Sequence, residues 1–212
     1  MAFFWPTLWK TLDNFKKGTV MSEKKTRCFG NKPGQDFYAD YHDNEWGVPV
    51  YDDRLLFEML TLEGAQAGLS WETILRKRHG YHEAFHEFDI DKIIAMTDDA
   101  LEALRENKAI IRNRLKIYSV RKNALIFKQI QQEHKTFSNY IWAYVDHKPL
   151  INHWRSFEEV PISTPISDAI SKNLKKRGMS FVGSTIIYAY IQAIGLVNDH
   201  HAGCWCYQRD RA

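Results

Sequence analysis

Apolar residues recur along most of this 212-residue chain at the three-to-four-residue spacing of amphipathic helices. No stretch alternates polar and apolar residues cleanly enough to predict a strand, and no segment repeats. Asp, Ser and Thr often precede the apolar runs and Gly often follows them, as helix caps do. The pattern predicts an all-α fold of many short helices. They are predicted between Arg27 and Gly47 (one short helix among turns), from Asp52 to near Gly68, from Trp71 towards Gly80, from Tyr81 to Phe88, from Asp91 to Met96, from Ala100 to Glu106, from Arg112 to Gln132, from Thr136 to Val145, from Ser167 to Arg177 and from Ser184 to Ile194.

Residues 146–166 interrupt the helical pattern. Three of the six prolines, Pro149, Pro161 and Pro165, fall within this segment. Because proline breaks a helix interior, the segment is predicted to be an irregular crossover between helices.

Composition narrows the class of protein. The length suits a single domain, which we place at residues 22–212, with two helical lobes around a central cleft. Three cysteines, an odd number, argue against a disulfide-built secreted protein and favour a reduced cytosol. No apolar run is long enough to span a membrane, and we expect a monomer. The net charge of +3 is too small to indicate a nucleic-acid partner. Whether the chain binds nucleic acid must therefore be judged from local clusters of basic residues.

Residues 1–21 form an extension with several interpretations. Trp5, Leu8 and Trp9 begin a helical spacing of apolar residues, which fits an interfacial or docking helix. The preferred interpretation is a translation start at Met21, because polar residues follow it at once.

The stretch from Leu62 to Trp71 is the best candidate for a binding wall. Glu63 ends an apolar run, and Gly64 and Gly68 separate it from Trp71. A helix end, a glycine turn and a new helix start would place Glu63 and Trp71 on one side of a cleft. An acid beside an aromatic face suits a flat, nitrogen-rich ligand, including a cationic one. A helix that ends in glycine before a core tryptophan is the alternative.

Zinc is a second candidate chemistry. His200 and Cys204 have a spacing that can hold zinc, but a closed site needs two further ligands. Cys28 and His42 are the Cys/His pair near the other end of the domain, and together the four would join both ends. Spacing alone leaves alternatives open. These are His201 or Cys206 as ligands, and a separate set of His79, His82 and His86.

Basic residues cluster in two places that flank the candidate cleft. No acidic residue lies between Asn107 and Gln132, and a helix–turn–helix over Ala109 to Lys116 could present N–H groups and basic side chains to phosphates. Solvated helix faces explain such runs as well. The first cluster contains Lys108, Arg112, Arg114, Lys116, Arg121, Lys122 and Lys128, and the second contains Lys172, Lys175, Lys176 and Arg177.

Six stretches, taken together with their order and spacing, resemble the DNA-3-methyladenine glycosylase I family. The resemblance covers about Arg27 to Tyr207. The stretches are Tyr38 to Gly47, Leu62 to Trp71, Ile110 to Lys116, Leu174 to Gly178, Phe181 to Thr185 and Leu196 to His200.

The resemblance implies an all-α helix-hairpin-helix glycosylase whose N- and C-terminal segments are joined by one structural zinc ion. Its hairpin is implied at Ala109 to Lys116, although the glycines usual in that motif are missing. The implied zinc ligands are Cys28, His42, His200 and Cys204. The implied base pocket contains Glu63, Tyr41, Trp46 and Trp71, with Tyr38 close by.

One departure concerns the pocket. The family usually has an aromatic residue two positions after the first zinc cysteine, where this chain has Gly30. Phe29, directly after Cys28, either replaces the missing ring or leaves the pocket more open on that side.

The implied activity is hydrolysis of the N-glycosidic bond of 3-methyladenine in double-stranded alkylated DNA, with no Schiff base. We expect Glu63 to recognise the base rather than position water. We also expect the loop at Gly68 and Leu69 to enter the duplex where the base is flipped out, with Leu69 as the wedge. Two other functions stay open, a catalytically inactive zinc-stapled DNA-binding protein and a metal-dependent hydrolase. The residues expected to bind the DNA backbone are Arg112, Arg114, Lys116 and Lys176.

Overall fold

The structure is a computed structural model that describes residues 25–207. The extension at residues 1–21, with its candidate start at Met21, lies outside the described residues.

Ten α-helices, four single-turn 3-10 helices at residues 86–88, 104–106, 143–145 and 157–159, and one pair of very short strands make up the regular structure between residues 25 and 207. The prediction of a helical fold is confirmed. The helices are α1 (Asp36–Asn44), α2 (Asp53–Gln66), α3 (Trp71–Leu75), α4 (Arg78–Ala84), α5 (Ile90–Ile94), α6 (Asp98–Ala103), α7 (Arg114–His134), α8 (Phe137–Trp142), α9 (Pro165–Lys176) and α10 (Ser184–Ala193), and the strands are β1 (Leu150–Ile151) and β2 (Val197–Asn198).

Helix α2 lies at the centre of the packing. It contacts α3, α7, α8 and α10, and α9 covers the other side of α10. The ring of Phe127 stacks on Phe137 with 4.0 Å between centroids and meets Phe57 of α2 edge-on at 5.1 Å. Because α2 is buried along most of its length, its polar residues need partners inside the protein or a ligand.

The buried carboxylate of Glu58 has its partners inside the protein. It accepts hydrogen bonds from Arg78 at 2.5 Å and His82 at 2.9 Å, and Arg78 also bonds Glu45 at 2.6 Å. These bonds tie α2 to α4 and to the end of α1. The His82 ring is therefore used in a structural hydrogen bond, which leaves the alternative metal set without it.

The crossover at residues 146–166 is irregular, as predicted, but it contributes strand β1. Leu150 pairs with Val197 and Ile151 with Asn198 in a parallel arrangement that holds the crossover against the C-terminal segment. The prediction of no strand was wrong here because two residues are too few to show an alternating pattern.

The predicted helix boundary at Gly80 is wrong. The break falls at residues 76–77, and Gly80 lies inside α4. A Cβ atom on Gly80 would lie 2.4 Å from the carbonyl oxygen of Ala109, so the glycine permits close packing rather than ending a helix. The helix predicted to reach Phe88 instead ends at Ala84, because residues 86–88 turn with positive φ angles.

The predicted helix–turn–helix at Ala109 to Lys116 also needs correction. Residues 107–113 form a non-helical link, and α7 begins at Arg114, two residues later than predicted. Asn113 caps α7 by accepting the N–H of Lys116 at 3.1 Å. The hydroxyl of Tyr81 accepts the N–H of Ile111 at 3.3 Å and holds the link against α4.

Among residues 25–207, no helix is both long enough and apolar enough to cross a membrane.

Candidate functional site

Glu63 lies in the last turns of α2 and is only 4% exposed. In contrast to Glu58, it has no hydrogen-bond or ion-pair partner among residues 25–207. Burial raises the pKa of Glu63 to about 8, because nothing compensates the lost hydration of the charged form. A buried carboxyl without a protein partner is a strong candidate for contact with a ligand.

Two tyrosines lie close enough to this carboxyl for its charge to act on them, and Trp71 contacts one of the two. The rings of Tyr41 and Trp71 lie with their centroids 5.5 Å apart. Burial, together with the charges of Glu72 and Glu63, raises the pKa of Tyr38 to about 12. Burial and the charge of Glu63 also raise the pKa of Tyr41 well above its usual value. The predicted pocket residues Glu63, Tyr41, Trp71 and Tyr38 are therefore brought together.

Trp71 supplies a second unsatisfied group. Its Nε1 atom is buried and has no hydrogen-bond acceptor in the described part of the chain. An unpaired buried N–H costs free energy, on the order of 1–3 kcal/mol. The wall therefore presents an unused donor on Trp71 and an unused acceptor on Glu63.

Trp46 lies closer to His200 than the other pocket residues do. Its ring is 4.6 Å from that of His200 and 5.1 Å from that of Phe29, and the residue is 6% exposed. The structure thus places Trp46 between the aromatic wall and the metal group, and its role as a base contact stays a prediction.

Phe29 supplies the aromatic ring that position 30 lacks. It stacks on Tyr38 at 4.7 Å between centroids, with Tyr41 at 6.2 Å. Gly30 has φ of +76°, and a Cβ atom there would lie 2.8 Å from the backbone nitrogen of Ala39. The backbone therefore leaves no room for an aromatic side chain at position 30, and Phe29 takes the place beside Tyr38.

Gly30→Ala is expected to destabilise the protein by at least about 2 kcal/mol, because a left-handed backbone conformation and a steric overlap add together. Gly34→Ala is the matched control. Gly34 has φ of +78° but open space around its Cβ position, so we expect only about 1 kcal/mol. Urea denaturation of both variants measures the difference. Equal losses would show that the contact with Ala39 does not matter.

The loop between α2 and α3 is short and firmly held. The N–H of Leu69 donates to the carbonyl of Gln66 at 2.7 Å, and Gln66 Nε2 donates to the carbonyl of Leu69 at 3.0 Å. Gly68 adopts φ of +78° at the tip, and Ser70 caps α3 by accepting the N–H of Thr73. The Leu69 side chain is 39% exposed, as a residue that enters DNA must be.

A second polar group forms where the two ends of the described chain meet. The ligand atoms of Cys28, His42, His200 and Cys204 all lie within 4.8 Å of one another. Cys204 Sγ is 3.4 Å from both His42 Nε2 and His200 Nδ1, and Cys28 Sγ is 3.7 Å from His200 Nδ1. Tetrahedral sites with bonds of about 2.0–2.3 Å have ligand–ligand distances of about 3.3–3.8 Å. The group fits a tetrahedral metal ion.

The outer contacts of this group orient both imidazoles. Asp43 Oδ1 lies 2.9 Å from His42 Nδ1, and the carbonyl of Trp46 lies 3.1 Å from His200 Nε2. These acceptors leave the other nitrogen of each ring free of its proton for a metal, as in characterised metal sites. Arg27 pairs with Asp43 through two bonds of 2.8 Å and fixes its orientation.

Asp199 is a functional residue that the sequence reasoning missed. It is fully buried next to His200 and accepts hydrogen bonds from four side chains of the crossover and α10. It therefore fixes the backbone that carries His200. Its position directly before His200, like that of Asp43 directly after His42, was the available signal. The four donors are Asn152, Trp154, Tyr188 and Gln192.

The alternative metal sets are less well supported. The Nδ1 atom of His201 accepts the N–H of Gly203 at 3.1 Å. Cys206 lies near His42 and Asp43 in a second group, which offers three possible ligands. His79 pairs with Glu83 on an exposed face of α4. His86 joins neither group of possible ligands that the described residues form.

The basic residues differ in what their side chains already contact. Arg112 and Lys176 are exposed. Arg114 is exposed but bonds Glu102 at 2.8 Å. Lys116 is half-buried and bonds two backbone carbonyls of the α2–α3 region. Arg112, Arg114 and Lys176 can reach solvent and a phosphate, whereas the Lys116 ammonium is already occupied.

Comparison with known proteins gives a consistent result. Residues 31–207 match the model of the methyladenine glycosylase family. The chain is 50% identical over 170 residues to DNA-3-methyladenine glycosylase 1 of Escherichia coli K12, covering 80% of this chain and 91% of that protein. It is 47% identical over 172 residues to the DNA-3-methyladenine glycosylase of Haemophilus influenzae, covering 81% and 93% respectively.

Solved structures agree with the sequences. A crystal structure of 3-methyladenine DNA glycosylase I has a TM-score of 0.82 at 48% identity, covering 86% of this chain and 100% of that one. A Staphylococcus aureus 3-methyladenine DNA glycosylase I, whose structure addresses 3-methyladenine recognition, has a TM-score of 0.84 at 31% identity. That match covers 88% of this chain and 99% of the other.

Proposed function

This chain belongs to the methyladenine glycosylase family, and we propose from that membership that it excises 3-methyladenine from alkylated double-stranded DNA. The observation that supports this function best is the buried, unpartnered carboxyl of Glu63 near Tyr41, whose ring lies 5.5 Å from that of Trp71. A flat base that carries both N–H donors and acceptors would satisfy this wall.

The chemistry needs little acid catalysis. The methylated adenine in DNA carries a positive charge, so the base is already a good leaving group. When the C1′–N9 bond breaks, its electron pair neutralises that charge, water adds to C1′, and a proton passes to solvent. The products are the neutral free base and an abasic site.

Glu63 is proposed to recognise the base by accepting its N–H groups. A nearby cation favours the ionised carboxylate, so the lesion itself offsets the burial that raises the pKa of Glu63. A neutral adenine lacks this charge and gains less from the same contact. Trp71 and Tyr41 supply the faces for stacking, and cation–π attraction favours the methylated base again.

The base must leave the stack before it reaches this pocket, which costs a few kcal/mol. We propose that Leu69, in the exposed loop beside Gly68, inserts into the gap that the flipped-out base leaves in the duplex. The link 107–113 between α6 and α7 is assigned the role of the helix-hairpin-helix element, with Arg112 and Arg114 at the DNA backbone. Lys176 at the end of α9 provides a further phosphate contact.

Zinc is the metal proposed for the Cys28, His42, His200 and Cys204 group, because two thiolates and two imidazoles in tetrahedral arrangement suit it. When bound, it supplies structural cross-linking of the first and last described segments. Four protein ligands leave no open position for water, so the metal-hydrolase alternative has little support.

The direct test incubates the purified protein with methylated duplex DNA and separates the released bases by chromatography. We expect free 3-methyladenine, none from unmethylated DNA, and no covalent adduct when borohydride is added. A folded, metal-loaded protein that binds DNA and releases no base would favour the inactive DNA-binding alternative instead.

A further inference from the structure

Lys116 makes an unusual contact for a residue in a basic surface cluster. It lies in the first turn of α7, and its Nζ donates to the carbonyl oxygens of Ala65 at 2.8 Å and Ala67 at 2.7 Å. Partial burial lowers the pKa of this ammonium, which nevertheless has two acceptors to hold it. Two of its three N–H donors are therefore used inside the protein.

The two carbonyls belong to the end of α2, where backbone acceptors have no partner within the helix. A cation at a helix C-terminus is also favoured by the helix dipole. Ala65 lies two residues after Glu63, and Ala67 directly precedes the loop of Gly68 and Leu69. One ammonium thus contacts the backbone on both sides of the point where α2 becomes the loop.

The backbone of Lys116 lies beside the surface that is proposed to bind DNA. Asn113 caps α7 three residues before Lys116, and Arg112 and Arg114 flank that cap with exposed side chains. Lys116 therefore connects the segment assigned to the DNA backbone with the loop assigned to the duplex interior.

We propose that Lys116 is a positioning residue that sets the loop of Gly68 and Leu69 relative to Glu63, rather than a phosphate contact. This inference rests on the proposed function. The Lys116 ammonium would hold the loop in the position in which Leu69 enters the duplex while the flipped-out base reaches Glu63.

Lys116→Met is the principal test, because methionine keeps most of the length of the side chain and removes the donors. We expect the single-turnover rate of 3-methyladenine release from duplex DNA to fall at least about tenfold, which corresponds to about 1.4 kcal/mol. We expect binding of free 3-methyladenine to change less than about twofold, because the ligand does not need the loop. That retained binding also shows that the variant folds.

The salt dependence of duplex binding separates positioning from phosphate contact. Each phosphate contact contributes about −0.9 to the slope of log K against log salt concentration. Lys116→Met is expected to leave the slope unchanged, whereas Arg112→Met is expected to reduce it by about one contact. A slope reduced equally by both variants would overturn the proposal. Lys128→Met, a lysine of the same helix paired with Asp91, is the matched control and should match wild type throughout.

A double-mutant cycle tests whether Lys116 acts through Leu69. If it does, Lys116→Met should cost little further activity in a Leu69→Ala background. Fully additive losses, or an equal loss of free-base binding in the single variant, would contradict the inference. Wild-type protein that releases no base would overturn the proposed function, while the salt slopes would still test the role of Lys116.

Discussion

Glu63→Gln is expected to reduce excision of 3-methyladenine by on the order of a hundredfold, while the protein stays folded. Glutamine keeps the shape of the side chain but lacks the negative charge. A charge-assisted hydrogen bond in a buried site contributes about 3 kcal/mol, which corresponds to about this factor. Because Glu63 is only 4% exposed, solvent cannot replace the negative charge that the glutamine lacks.

The same substitution should stabilise the protein at alkaline pH. The pKa of Glu63 is raised to about 8 in the folded protein, against an ordinary value near 4.5. Between these values the folded state binds more protons than the unfolded state, so the free energy of unfolding falls as pH rises. Glutamine has no such dependence, and its advantage should grow from pH 4.5 to pH 8 and then level off, at no more than about 5 kcal/mol.

Two measurements check this pair of expectations. Single-turnover excision assays give the loss of activity, and thermal unfolding from pH 5 to pH 9 gives the stability difference. Glu58→Gln is a useful contrast, because Glu58 already pairs with Arg78 and His82 and its pKa is lowered, against the effect of burial, by those partners. That variant should lose stability at neutral pH. A Glu63→Gln protein that excises base normally would remove Glu63 from recognition.

The local structure around Glu63 and Trp71 could be predicted from the sequence, because everything that positions these two residues is close to them in the chain. The end of α2, the tight turn at Gly68 and the Ser70 cap lie within ten residues, and each has a recognisable signal. Local helix signals also gave α8, with its Thr136 cap, and most other helices. The predicted helix boundaries were wrong where a contact distant in sequence sets the structure. Gly80 is an example, because it packs against the backbone of Ala109.

The metal group could not be derived from spacing alone. Cys204 and His42 are 162 residues apart, and only the tertiary fold brings them to 3.4 Å. The resemblance to a family supplied the group of four, and the structure brings these four side chains together, while their role as zinc ligands stays a prediction. The contact of Lys116 with the backbone carbonyls could not be predicted from the sequence. A lysine in a basic run has no sequence signal that shows whether its partner is a carbonyl or a phosphate.

Loss of the metal is expected to cause a large loss of stability. Cys204→Ser removes a thiolate that lies 3.4 Å from both imidazoles, so we expect the purified variant to contain little zinc. A ligand present at a thousand times its dissociation constant stabilises the folded state by about 4 kcal/mol. In a domain of this size, that loss corresponds to a fall in Tm of about 10 °C.

Cys206→Ser is the matched control, since Cys206 is equally buried two residues away but belongs to the second, three-membered group. We expect it to retain zinc and to unfold close to the wild-type temperature. Metal analysis by atomic emission, with thermal unfolding in the presence and absence of chelator, measures both effects. Loss of zinc from Cys206→Ser but not from Cys204→Ser would exchange the two cysteines in the ligand set.

Excision by the metal-depleted protein distinguishes a structural ion from a catalytic one. Phe29 contacts His42, and Trp46 contacts His200, so these two imidazoles support the neighbouring aromatic rings. If the ion only stabilises this arrangement, Cys204→Ser should lose excision at the temperatures where it unfolds and keep most of it below them. A variant that stays folded and binds free 3-methyladenine, yet releases none from DNA at any temperature, would instead give the metal a part in the reaction.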